Sequence, residues 1–264
     1  MLKIVNLRKI YKDSRNSPIE VFKDFNLEIK KGDFVAIFGP NGCGKTTLLN
    51  LIAGILNSDN GSITFEGKPT NNIKIGYVFQ DYKNSLFPWL KIKDNISFPI
   101  KLKGYNKQEK KQTVKRLCKD YGFNINLEFY PYQLSGGQQQ FVSLLRGLIM
   151  EPALYLLDEP FSSLDYQTTI LMLGKMAEIW QKTRITTLFI SHEIDETIFL
   201  AQKIILLSNK PTNIIKTFLN PLPYPRKIEL MNSPEFIKLK KEILEIYNQE
   251  LINDNLNINQ GENL

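Results

Sequence analysis

Residues 34–47 read FVAIFGPNGCGKTT, and they constrain the fold more than any other stretch. Five apolar residues are too few for a helix and predict a strand buried on both faces. From Gly39 to Thr46 the chain matches G-x-x-x-x-G-K-[ST], and a leucine-rich run after it predicts a helix. A chance match in a chain of this length is on the order of one in a hundred. Strand, glycine loop and helix together predict a phosphate cradle. Gly39, Gly42 and Gly44 let the backbone curl so that its N–H groups point at phosphate oxygens, and Pro40, Asn41, Cys43 and Thr47 complete the candidate nucleotide-binding loop. Lys45 supplies a point charge for β- and γ-phosphates, and Thr46 offers a hydroxyl to Mg²⁺. Cys43 reads as a small filler of the loop, with a reactive thiol as the other reading.

Short apolar, β-branched segments recur at 2–7, 34–38, 62–66, 74–79, 153–157, 186–190 and 203–208. Helical patterns separate the later ones, which predicts an α/β fold with helices packed on a sheet. Between them lies a mainly helical stretch, about 85–155, which includes Val114, Leu117, Cys118 and Tyr121 at helical spacing. It reads as a helical subdomain inserted into the α/β core. After about 209 the chain turns proline-rich; a helix-start signal then opens SPEFIKLKKEILEIYNQE, and the last dozen residues are polar, as a frayed tail is.

Three polar groups close predicted strands. ALYLLDEP ends in Asp158 and Glu159, placed where ligands of α/β sheets bind. Asp158 suits the orientation of Mg²⁺, and Glu159 the polarisation of a water for in-line attack on a γ-phosphate. His192, the single histidine of the chain, follows the run LFIS and suits a γ-phosphate sensor. Gln80 ends IGYVFQ and can reach Mg²⁺ or water. Separately, QLSGGQQQFVSLLRG (133–147) carries Ser135 three residues before Gln138, a capping-box pattern. Gly136 and Gly137 would weaken that helix by about 1 kcal/mol each relative to alanine. They leave the first N–H groups uncovered, which favours an anion at the helix start.

Composition sets the remaining bounds. Two cysteines, Cys43 and Cys118, give no disulfide framework and fit a reducing compartment. No run of 18 apolar residues spans a membrane, and MLKIVNLRKIYK reads as a strand without an export signal core. The net charge of +7 allows an anionic partner, but the lysines read as scattered, and no RNA-binding motif is present. Nucleic acid is therefore not expected as a partner.

GPNGCGKTT, Gln80, LSGGQ, YLLDE, SSLD (162–165) and His192 occur in the order found in ATP-binding-cassette ATPases, which the chain resembles over about residues 1–245. The resemblance implies a P-loop, RecA-like core, an antiparallel β subdomain, the inserted helical subdomain and a C-terminal extension over 210–264 with a short helix and frayed tail. It implies ATP and Mg²⁺ as ligands, with Glu159, His192 and Gln80 catalytic and Thr46, Gln80 and Asp158 about the metal. Tyr11 matches the aromatic residue on which adenine stacks; a merely packed tyrosine is the alternative. Ser135, Gly136, Gly137 and Gln138 would face the nucleotide of a second subunit across a head-to-tail dimer, with Asp165 in the loop linking the two sites. VFQDYKNSLFPWLKIKDNISFPI is similar to importers of nitrate, sulfonate and taurine, and so are HEIDETIFLAQKIILLSNKPTNI and SPEFIKLKKEI. Phe87, Pro88, Trp89 and Leu90 would then form a groove for a membrane permease subunit, or else be ordinary core aromatics. The expected protein is an importer ATPase at the cytoplasmic membrane face, paired with itself or a related ATPase and served indirectly by an extracytoplasmic solute-binding protein. A soluble cassette ATPase of DNA repair or translation is the alternative. One departure stands out: Phe141 occupies the place of the family's usual arginine, while Arg146 remains later in the helix. Packing of Phe141 among Leu144, Leu145 and Leu148 would leave activity intact. The role of the extension stays open between a docked regulatory helix and an idle surface segment.

Overall fold

A computed structural model describes residues 1–81 and 85–261, with side chains through 252. Tyr82, Lys83 and Asn84 of the importer-like stretch lie outside the described residues. Two sheets organise the chain. Four antiparallel strands form the first, in the order β2 (Pro18–Ile29), β1 (Leu2–Lys12), β4 (Asn60–Phe65), β5 (Lys68–Pro69). Six form the second, in the order β10 (Ile214–Leu219), β9 (Lys203–Leu207), β3 (Phe34–Phe38), β8 (Thr186–Ile190), β7 (Leu154–Asp158), β6 (Ile75–Val78). All neighbours in the second sheet are parallel except β10, which turns back along β9. The architecture is the mixed α/β core with an antiparallel β layer and an all-helical insertion that the sequence predicts.

Helix α1 (Lys45–Ile52) follows the glycine loop, and α2 (Ile92–Lys101), α3 (Lys107–Asp120) and α4 (Gly136–Leu148) fill the insertion between β6 and β7. Then come α5 (Tyr166–Thr183), α6 (Ile194–Leu200) and α7 (Pro234–Gly261). Strands β3, β7 and β8 are buried at every position, which explains why apolar residues dominate them. One apolar core packs the helices on one face of the second sheet; the other lies between the two sheets and encloses α1. Where the sequence reading expects a short C-terminal helix and a frayed tail, α7 runs 28 residues to Gly261.

Phe141 is 5% exposed, its ring centroid 5.1 Å from that of Phe123 in the helical core. The Phe141 ring is thus packed into the core, as the apolar face of α4 predicts. Arg146 donates to Ser85 O (2.6 Å) and Ser85 Oγ (3.0 Å), tying α4 to the segment after β6.

Candidate functional site

Register across the second sheet explains why distant residues meet. Ile37 of β3 lies opposite Ile190 of β8, Ile190 opposite Asp158 of β7, and Leu157 opposite Val78 of β6. Gly39, His192, Glu159 and Gln80 therefore emerge one or two residues beyond aligned strand ends, on one carboxyl-terminal edge.

The Gly39–Thr46 loop opens there. Gly42 and Gly44 have φ of +75° and +112°, conformations that side chains rarely adopt. A Cβ on Gly44 would come within 2.5 Å of Val21 Cγ1, whereas at Gly42 it would meet nothing within 4 Å. Gly44 is thus needed for close packing under the loop, and Gly42 for the turn itself. Lys45 is buried, and its Nζ donates to Gly39 O and Pro40 O, both at 2.8 Å, holding the charge over the loop. Cys43 is 1% exposed in the core between the sheets, and burial pushes its thiol up from the ordinary range. That is the filler role; a reactive thiolate needs the opposite environment. Thr212 braces the loop from below, its Oγ1 donating to Cys43 O.

Thr46 Oγ1 donates to Asp158 Oδ1 at 3.2 Å, and Tyr77 OH reaches Asp158 Oδ2 at 3.4 Å. Burial raises the Asp158 carboxyl above its usual range and neighbouring Glu159 adds to this, against the hydrogen bonds from Thr46 and Tyr77. A buried carboxylate beside a hydroxyl is a set of hard oxygen donors, with the Lys45 charge pulling the carboxyl the other way. It fits Mg²⁺, which takes one or two protein ligands and completes its shell from substrate phosphates and water. Among the described residues no larger His/Cys/Asp/Glu cluster competes for a metal.

Glu159 has φ +44°, rare for a side-chain-bearing residue, and its backbone is pinned by a hydrogen bond from its N to Ile190 O at 2.9 Å. Gln80 Nε2 donates to Glu159 Oε2 at 3.0 Å, and His192 Nδ1 lies 3.1 Å from the same oxygen. One carboxylate oxygen is thus held from two strand ends.

The Ser135–Gln138 stretch is built as the predicted capping box. Ser135 Oγ accepts from Gln138 N (3.4 Å), and Gln138 Oε1 accepts from Ser135 N (2.9 Å). These bonds stay within the cap. Gly137 has a packing role that the sequence did not reveal: a Cβ there would lie 2.3 Å from Thr168 Cγ2. Thr168 is in turn held by Asp165, which accepts from its N (3.0 Å) and Oγ1 (2.6 Å). The start of α4 is therefore keyed to the start of α5. Tyr11 presents a partly exposed ring, 38% accessible, with Lys9 Nζ 5.4 Å from its centroid.

Of Phe87, Pro88, Trp89 and Leu90, only Phe87 lines the groove found nearby, a space of about 540 Å³ shared with Phe79, Phe98, Pro99 and Met150. Trp89 stands 71% exposed beside it. Phe98 and Met150 were not legible as lining, because they come from α2 and from beyond α4.

Comparison with known proteins gives the family. The model of the ABC transporter family matches residues 22–162. An uncharacterized ABC transporter ATP-binding protein of Methanocaldococcus jannaschii is 36% identical over 95% of this chain and 92% of its own length. The aliphatic sulfonates import ATP-binding protein of Bacillus cereus is 38% identical over 89% of this chain and 91% of its own. The taurine import ATP-binding protein of Escherichia coli O157:H7 is 35% identical over 91% and 96%. Among solved structures, a dimeric bacterial ABC transporter cassette superposes with a TM-score of 0.73 at 28% identity, over 84% of this chain and all of that one. The same cassette is also known as a dimer in a post-hydrolysis state bound to ADP and phosphate, again with a TM-score of 0.73. The chain belongs to the ABC transporter family and is an ATPase of that family.

Proposed function

We propose that the chain is the ATP-hydrolysing subunit of an importer for a small solute of the nitrate, sulfonate or taurine type, working as a dimer on separate membrane permease subunits. The observation that carries the hydrolytic part is the Glu159 carboxylate, gripped at Oε2 by Gln80 and His192 beside the Thr46–Asp158 pair. Lys45 and the loop N–H groups bind the β- and γ-phosphates, and Tyr11 stacks on adenine. Thr46, Asp158 and Gln80 would hold Mg²⁺, which would neutralise phosphate charge. Glu159 takes a proton from water as its oxygen bonds the γ-phosphorus; the bridging β–γ oxygen bond breaks and ADP leaves. Ser135, Gly136, Gly137 and Gln138 present donors to the γ-phosphate held by the second copy.

Support for the importer half comes from the sulfonate and taurine relatives and from the apolar groove along α2, which suits a short helix of a permease. No helix of the described residues is long and apolar enough to cross a membrane, so the spanning part is assigned to other chains, with this one at their cytoplasmic face. A solute-binding protein outside the cell would deliver the solute to those chains. The test is phosphate release from Mg·ATP by the purified protein. Glu159→Gln is expected to keep ATP binding and lose roughly 10²- to 10⁴-fold in kcat, the range of a general base. Wild-type turnover no faster than that of Glu159→Gln would contradict the reading, and would also show that Phe141 is not neutral.

A further inference from the structure

The excess of positive charge, 34 Lys and Arg against 27 Asp and Glu, is not spread over the chain. Residues 101–119, KLKGYNKQEKKQTVKRLCK, hold eight basic residues and one acidic residue, which is the whole excess of seven. The rest of the chain is balanced. The reading of scattered lysines is thereby corrected: the field has one origin and a direction.

That origin has a shape. Lys107, Lys110, Lys111 and Lys115 recur at helical spacing on α3 and line one cleft of about 530 Å³ between α2 and α3. Its floor is apolar, formed by Val114, Ile125 and Leu127. The acidic residues nearby are largely committed. Glu128 is held by Lys91 (2.9 Å) and Lys93 (2.5 Å), which keep its carboxyl down at about 2, and Glu109 accepts from Asn106 N at 2.7 Å in the cap of α3. Asp94 is the remaining acid on the cleft. Among the described residues, none of the four α3 lysines forms an ion pair. In the turn before α3, Leu102 is 76% and Tyr105 43% exposed, flanked by Lys101, Lys103 and Lys107. An exposed leucine and tyrosine among lysines are poorly placed in water and well placed at a headgroup layer.

Orientation comes from α2. Ser97 lines the basic cleft, while the next residues, Phe98 and Pro99, line the apolar groove assigned above to the permease. The two are adjacent faces of one helix, so seating the groove on a membrane subunit carries the lysines to the membrane side.

We propose that the α2–α3 turn and basic cleft bind the anionic phospholipid surface of the membrane, lysines on headgroup phosphates and Leu102 and Tyr105 in the interfacial layer. The side on which this surface lies rests on the importer reading; the binding does not. Nucleic acid is the weaker occupant. Phosphate and base recognition there favours arginine forks and stacking platforms, whereas the segment has one arginine, Arg116, 3.6 Å from Glu151.

The test uses the full chain and vesicles of phosphatidylcholine with or without phosphatidylglycerol, read by co-sedimentation. Binding is expected only with phosphatidylglycerol and is expected to weaken with salt. Each lysine near such a surface contributes about fivefold, so the triple variant Lys107→Gln, Lys110→Gln, Lys111→Gln should lose roughly a hundredfold in partitioning. Leu102→Ser with Tyr105→Ser should remove the part that survives high salt. ATPase activity of both variants in solution should match wild type, which shows that they fold. Equal binding to both vesicles, or wild-type binding by the triple variant, would overturn the proposal. So would a DNA duplex that displaces the chain from phosphatidylglycerol vesicles at equal phosphate. Failure to capture permease subunits with the vesicle result intact would remove the importer reading alone.

Discussion

Glu196 sits one turn past His192, 7% exposed, with Ser191 Oγ donating to its Oε2 at 2.6 Å. Burial pushes its carboxyl up to about 7; Glu193 and Glu159 push the same way, against the Ser191 hydrogen bond and His192. The folded protein therefore keeps a proton that the unfolded chain releases near 4.5. Its contribution to stability is full below that pH and is lost as pH rises through about 7, on the order of 3 kcal/mol in all. Glu196→Gln should flatten the stability profile between pH 5 and 8 and raise Tm at pH 8. A variant Tm at pH 8 no higher than wild type would refute this. Gly137 offers a second test. Alanine there gains about 1 kcal/mol of helix propensity but overpacks Thr168 at a cost of about 1–3 kcal/mol. Because Asp165 holds Thr168 in place, the clash should win, and Gly137→Ala should lose roughly tenfold in ATPase activity. Thr168→Ser removes the clashing methyl and keeps the hydroxyl for Asp165, so adding it should restore activity. No restoration would mean that the glycine serves phosphate approach alone. Site candidates picked out by type and strand-end position, such as Lys45, Asp158, Glu159 and His192, were legible in the sequence. Thr168, Tyr77 and Thr212 were not, because their roles exist only once distant segments pack.

At the scale of elements, the C-terminal extension is docked, not idle. Phe236, Leu239 and Ile243 of α7 are buried in the helical core, and Tyr247 packs 5.1 Å from Phe38, the residue before the glycine loop. Lys240 pairs with Asp195 of α6 at 2.8 Å. Arg226 is 6% exposed, and its Nη1 donates to Ile198 O, Phe199 O and Ala201 O, each at 2.9 Å, closing the carboxyl end of α6. Hydrogen bonds from a charged group are worth about 1.5–3 kcal/mol. Arg226→Met should therefore destabilise the protein by on the order of 3 kcal/mol, measured by urea unfolding; a loss under about 0.5 kcal/mol would show the cap to be incidental. The sequence could place a helix here but not its partner. Strand β2 escaped the reading because Asp24 at φ +51° and shifts of register break its alternation, and β10 because it is a half-exposed edge after a proline-rich run. The central strands, buried at every position and mainly apolar, were plain.

At the scale of the whole molecule, one chain gathers the loop, the metal-type oxygens and Glu159, and it leaves the Ser135 helix start bonded within its own cap. The cassettes that superpose on it are dimers; the function proposed above completes the site with the glycine-opened start of α4 from a second copy. QLSGGQ is, on this account, half of each active site, keyed through Gly137, Thr168 and Asp165 to the loop between the two. The central claim is that hydrolysis belongs to the pair. The direct measurement is specific ATPase activity against protein concentration, with mass followed in parallel by sedimentation. Activity per chain should fall toward zero as the protein dilutes into monomer and saturate as dimer forms with Mg·ATP. Constant specific activity in a verified monomer would contradict the account.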